Sequence, residues 1–289
     1  MNLLDEARSH WAELTDPSFS TVTRADAWRW LAHLNTDAAE KEQQLRTALA
    51  QIDTDNVWYL DIADNISDHF ASLLENQGRH TERAALYESQ LIVRDAYADE
   101  DRKAWITLQV ARAHAAASDL AQARDWYDRF ITNHPRFTRG GVSWIQFRIE
   151  AIRLNGKLSQ YDPEVVAALE ALWNDPATAD DPSSLRIALL LAVPNREIRS
   201  HDEAWAWSEA MLSRALGLEA AGTLKPYLER PENHSFAVMS LERQLANLAT
   251  ADAQWVEPFE SLEAARLHQR LFPDGTNRNR VRDRLRNGP

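Results

Sequence analysis

Histidine and carboxylate spacing is where catalytic or metal chemistry would show first in this chain. The nine His residues lie at least eleven positions apart, so no two share a helix face at the four-residue spacing of a zinc protease. His33, His69 and His114 would meet only if successive helices carried them together. Asp61, Asp64 and Asp68 fall three and four apart, with Glu75 further along, so a helix would align them. Paired carboxylates bind metal or move protons only where a pocket shifts their pKa values. A run of acids on a helix is otherwise a solvated stripe, and that is the expectation here. Gly217 to Lys225 faintly echoes a phosphate loop but lacks the Lys and Ser or Thr that should follow its second Gly. A helix ending at Gly217, followed by a turn, accounts for it. The chain has no Cys, hence no disulfide, thiolate metal site or thiol nucleophile. No catalytic residue, metal ligand or cofactor is assigned, and the chain reads as a non-enzyme. An enzyme with a site assembled from distant helices remains an alternative, with Asp64, Asp68 and His69 as its candidates.

The elements that would carry these residues are helices. Ala, Leu, Arg and Glu are among the commonest residues, while 8 Gly and 11 Pro in 289 residues are too few for an all-β chain. A formal charge of −12 argues against whole-surface attraction to nucleic acid or anionic lipid. The C-terminal end is the exception, with seven Arg against two Asp from Arg266 onward. The N-terminus lacks a basic region leading into an apolar one, and the longest apolar run, Ile187 to Val193, is far short of a membrane span. A cytoplasmic protein without membrane segments is expected.

Two stretches superimpose at a spacing of forty residues. Phe70-Ala71, Leu74, Gly78, Tyr87 and Leu91 are answered by Val110-Ala111, His114, Ser118, Tyr127 and Ile131. A helix pair that cannot bury its apolar face alone must stack on its neighbours, so the repeat predicts an all-α solenoid of antiparallel helix pairs. Asp99 or Asp101 caps the first helix of the clearest pair, Ser118 or Asp119 caps the second, and Pro135 closes it. Ala111 and Ala123 fall where the two helices cross closely. Trp28, Leu31-Ala32 and Asn35, followed by Leu45, Leu49 and Ile52, fit one period earlier; Trp144, Phe147, Ala151 and Leu154, followed by Val165, Leu169 and Leu172, fit one period later. The stretch 142–149 could also be read as an alternating strand, but Trp144, Phe147 and Ala151 keep helical spacing and favour helix. The segment from Asn174 to Ser184 is the best candidate break. Residues 1–176 are thus read as repeats with a cap helix over 1–22, and 177–289 as an irregular helical continuation with a cap over 251–289. The two would form one continuous solenoid. Further helices are predicted at 184–193, 203–216, 235–248, 256–272 and 276–286.

Val110-Ala111, His114, Ser118, Ala123, Tyr127 and Pro135 resemble the tetratricopeptide repeat, with Phe130 replacing its third small residue. The preceding unit matches at Phe70-Ala71, Leu74, Gly78 and Tyr87, but carries Arg83 where Ala is expected and has no closing Pro. The spacing of forty exceeds the family's roughly 34 residues. The resemblance implies a curved groove lined by Arg29, His33, Asp68, Ser72, Leu108, Arg112, Arg148 and Ile152. It also implies that His114 packs in the core. Trp105, Trp126, Trp144 and Trp173 fall in the repeat region and most of these four fit the core register, while Trp58 and Trp105 lie off the small-residue seam and should be exposed.

The function so implied is that of an adaptor or scaffold holding a peptide or partner helix in the groove. Arg29, Arg112 and Arg148 would supply charge pairing, and Trp105 and Leu108 apolar contact. The competing reading is that these Arg residues only balance Asp68 and Glu75. The Lys-and-Asn clamp with which some members of the family grip a chaperone's terminal carboxylate is not present. Arg278, Arg280, Arg282, Arg284 and Arg286 alternate, leaving Val281 and Leu285 as an apolar pair on which a polar cap helix would dock. Contact of that helix with nucleic acid or an acidic partner is the alternative. Self-association through exposed apolar faces is left open.

Overall fold

Stretches rich in Ala, Leu and Glu, punctuated by Gly, Pro and Asp, become helices separated by short capped turns. The structure, a computed structural model, describes residues 3–52, 59–94, 99–140, 142–154, 163–192, 200–251 and 258–287. Every regular element among them is helical, apart from a single bridge between Arg139 and Val142. None of these helices is long and apolar enough to cross a membrane. The chain divides into two units, 1–134 and 135–289.

The first unit contains α1 (Leu3–Glu13), α2 (Thr21–Leu34), α3 (Ala38–Ala50), α4 (Leu60–Asn76), α5 (His80–Arg94), α6 (Glu100–Ala116) and α7 (Leu120–Asn133). Each packs on the next in sequence, and α2 also touches α4. Side chains of Ser20, Asp37, Asp99 and Asp119 accept backbone N–H groups at the starts of α2, α3, α6 and α7. Each satisfies a donor that the first helical turn leaves unpaired.

The forty-residue register reappears in the backbone. Gly78 and Ser118 both adopt left-handed φ, +70° and +66°. After each, a 2.9 Å bond reaches back across the turn, from Arg79 N to Leu74 O and from Asp119 N to His114 O. This is the six-to-one closure that terminates a helix and frees the chain to reverse. Ala111 and Ala123 are fully buried, as close helix crossing requires. Ile66, Phe70 and Leu74 of α4 pack with Leu45 and Ala48 of α3, while Ala71, Tyr87, Ile106 and Val110 form a second cluster. Arg83 is also buried: its guanidinium donates to Glu75 Oε1 at 2.7 Å and to Gln109 Oε1 at 2.9 Å. The residue standing in a small-residue position thus spans α4, α5 and α6 as a charged tie.

The second unit contains α8 (Trp144–Leu154), α9 (Pro163–Asn174), α10 (Leu185–Leu191), α11 (His201–Ala220), α12 (Leu224–Leu228), α13 (His234–Phe236), α14 (Glu242–Ala249), α15 (Pro258–Leu271) and α16 (Arg278–Asn287). A π-helical turn, Ala237–Leu241, joins α13 to α14. Helix, not strand, follows Ser143. The Pro- and Asp-rich segment 174–184 forms two 3-10 turns, Pro176–Thr178 and Pro182–Ser184, whose N–H groups are capped by Asp175 and Asp181. Gly217 does not end its helix: α11 continues to Ala220 because Ala215 and Leu218 extend the buried stripe through it. Gly222, at φ +73°, makes the turn instead.

The core of this unit joins Leu169, Leu185, Ile187, Met211, Leu241 and Leu245, and α16 docks on it through buried Val281 and half-buried Leu285. Beneath that helix Glu242 is buried: its Oε1 accepts the Asn277 backbone N–H at 2.9 Å and lies 3.5 Å from His268 Nε2. Burial lowers the pKa of His268, and the Glu242 charge only partly opposes it.

Candidate partner-binding face

The short stretch Trp28-Arg29-Trp30 shows how α2 divides its two faces. Positions two apart on a helix point roughly oppositely, so Trp28 packs against the core while Trp30 turns to the other side. Trp30 stacks on Trp11 of α1, with ring centres 5.6 Å apart and planes at 17°. Its edge meets His33 at 5.6 Å, and His33 stacks on His69 of α4 at 5.8 Å. At the other end His10 meets Trp11 edge-on. Five rings from α1, α2 and α4 thus form one ladder along the first unit, with His10 and His33 exposed and the others half-buried.

Arg29 lies over Trp30, 4.5 Å from the ring centre, and pairs with Asp26 at 2.7 Å. Beside the ladder a small pocket of about 170 Å3 is lined by His33, Lys41, His69 and Ser72. Burial lowers the pKa of His69, and the charges of Arg29 and His33 act in the same direction. His69 is therefore neutral near pH 7.

On the adjoining face of α4, Asp64 and Asp68 meet Arg102 of α6. The guanidinium donates to both Asp68 oxygens at 3.0 Å, and its Nε lies 3.1 Å from Asp64 Oδ2. Arg102 is buried, whereas the Asp68 side chain keeps 38% of its exposure. Burial opposes the charge on Arg102, but the Asp68 hydrogen bonds and the two carboxylate charges outweigh it and raise its pKa. Nearby, burial and the Asp68 charge push the Tyr87 hydroxyl up to about 12.

This geometry corrects the solvated-stripe expectation. Asp61 is exposed, but Asp64 and Asp68 are held in an interhelical ion pair. Arg102 thus holds both carboxylates in place. Among the described residues no three His, Cys, Asp or Glu side chains gather as metal ligands would.

Of the expected groove residues, Arg29, His33, Asp68, Ser72, Trp105 and Arg112 occur together in the first unit, on α2, α4 and α6. Ser72 is exposed and donates to the Asp68 carbonyl. Trp105 is half-buried with Arg112 over its ring at 5.7 Å. Leu108 is a correction: it is fully buried and cannot touch a guest. Its position three residues after Trp105 aligns it only loosely with that ring, and α6 is buried from Ile106 to Ala111, so helix packing claims it. His114, also on α6, is mostly buried and lies 3.0 Å from Glu88 Oε1. Trp58 lies outside the described residues.

Arg148 and Ile152 belong to the second unit, where both are half-buried and Arg148 Nε has no hydrogen-bond partner. On α16, Arg278 pairs with Asp274 and Arg280 donates to Asn247, while Arg282 and Arg286 are exposed and Arg284 is half-buried.

Two features escaped the sequence reading. Trp11 and Trp30 had no place in the repeat register, although the Trp-x-Trp pattern signals rings on opposite helix faces. Arg102 follows a capping Asp and looks like surface charge until α4 is packed beside it. The chain matches no protein-family model and no curated protein.

Proposed function

We propose that this protein is a non-catalytic helical-repeat adaptor of tetratricopeptide type. It would hold a peptide or partner helix on the face to which α2, α4 and α6 contribute. The observation that carries the reading is the ladder Trp11–Trp30–His33–His69, with Trp105 and Arg112 paired on α6 of the same unit. Half-buried aromatic rings are rigid, apolar on the face and polar at the edge, and with Arg they dominate the energetics of protein recognition. Their Arg partners lie over the rings, so a guest carboxylate could pair with a guanidinium while its neighbouring side chain packs on the indole. Arg29 is already neutralised by Asp26. A guest carboxylate would compete with Asp26 for Arg29, and Arg112 is the second guanidinium assigned to charge recognition.

The test is affinity purification from the native organism with wild-type protein and with Trp30→Ala/Arg112→Glu. Partners should be lost from the double variant while its helical content is retained. An unchanged partner set would remove this face from the function.

A further inference from the structure

A cavity of about 540 Å3 lies within the second unit, lined by α11, α14 and α16, and plays no part in the adaptor reading. Its size falls in the range of about 300–1,000 Å3 typical of small-molecule sites. Trp205 and Ser208 enter from α11, Gln244 and Asn247 from α14, and Arg280 from α16.

Hydrogen bonding fixes which way the two amides point. The buried Ser208 hydroxyl donates to the Ala204 carbonyl at 3.0 Å, so its oxygen can only accept, and Gln244 Nε2 donates to it at 2.6 Å. Gln244 Oε1 is left as an acceptor. Arg280 can only donate, and its bond of 3.0 Å goes to Asn247 Oδ1, which leaves Asn247 Nδ2 as a donor. Neither remaining amide atom has a hydrogen-bond partner among the described residues. Three positions apart on one helix, the two side chains sit side by side, with Cβ atoms about 5–6 Å from each other.

The electrostatics point the same way. No Asp or Glu appears among the described lining residues, although the chain as a whole carries −12. Glu203, close to the cavity in sequence, turns back to cap Ser200. Arg280 is bonded to a neutral amide, so its positive charge is not cancelled there.

An indole plate, an adjacent acceptor and donor, and one uncancelled guanidinium are complementary to a flat heterocycle bearing phosphate. We propose that this cavity binds a nucleotide. The base stacks on Trp205, its polar edge lies between Gln244 Oε1 and Asn247 Nδ2, and the phosphate pairs with Arg280. The same chemistry occurs in a free mononucleotide and at the end of a nucleic-acid strand. Of the alternating Arg row, Arg280 is the one so used.

Isothermal titration of the full chain with adenosine 5′-monophosphate tests the assignment, with adenosine, ribose 5-phosphate and a trinucleotide as further probes. The monophosphate should bind one to one. Arg280→Glu, an exposed position, should weaken it by about tenfold or more while leaving adenosine unaffected. Trp205→Leu, with helical content checked by circular dichroism, should weaken both by about tenfold. Competition by the trinucleotide would uphold the site and assign it to a strand end. Three results would overturn the proposal: no monophosphate binding at about 1 mM, equal binding to wild type and Arg280→Glu, or ribose 5-phosphate binding as tightly as the nucleotide.

Discussion

Replacing Arg102 with Met keeps most of the buried stem and removes the guanidinium that joins α6 to α4. Two charge-assisted hydrogen bonds to Asp68 at 3.0 Å and the Asp64 contact at 3.1 Å are lost. Removing one member of a fully buried ion pair typically costs about 3–5 kcal/mol. Here the stranded carboxylates are not fully buried: Asp68 keeps 38% of its exposure and Asp64 15%. Water can partly replace the lost donor, so the expected loss is about 2 kcal/mol. With a urea dependence of about 2 kcal/mol per molar, the midpoint should fall by about 1 M. Asp68→Asn alone should cost about 1 kcal/mol, and the double variant should fall short of the sum by a similar amount, because both act on one contact. The two units need not unfold together, so hydrogen exchange at amides of α4 and α6 should accompany the urea titration. A midpoint change below about 0.3 M, or strict additivity of the two substitutions, would refute the interhelical clamp.

The backbone turn offers a cleaner perturbation. Gly78→Ala meets no atom within 4 Å of the added Cβ, so its cost is purely that of the left-handed φ, about 1 kcal/mol by urea unfolding. Leu108→Ala should destabilise by about 2–5 kcal/mol yet leave the identity of captured partners unchanged, as pull-downs of the folded fraction can show. Gly275→Ala places a Cβ 2.5 Å from Glu242 Oε1 and should cost about 1–3 kcal/mol, read as a lowered thermal midpoint. His69 and His268 both have pKa values lowered from 6.5 by burial, so below that pH the unfolded chain binds protons that the folded chain resists. Stability should therefore fall as pH drops from about 7.5 to about 5.5, and His69→Asn should flatten the slope at α4 amides in hydrogen exchange. Glu42 and Glu82, held below their usual 4.5 chiefly by hydrogen bonds from Arg79, stay ionised across that window.

Helix content and much of the turn chemistry were legible in the residues alone, because both are local. Capping Asp and Ser side chains bond N–H groups two or three positions away, and a left-handed turn at Gly78 and Ser118 ends each helix whatever lies beside it. The apolar stripes of α4 and α6, repeated at forty residues, likewise required that helices pack in sequence. What local pattern could not assign was the partner of each polar side chain. Asp64 and Asp68 look like a solvated row until Arg102, more than thirty residues away, is brought against them. Leu108 and Trp105 look equally available until packing hides one and leaves the other half-open. The indole, amide atoms and guanidinium around the second unit's cavity come from three helices that only tertiary folding brings together. Periodicity is set by bonds within a helix, and so it was readable from the chain. Exposure, pairing and pKa depend on which distant surface displaces water, and only the packed structure decides that.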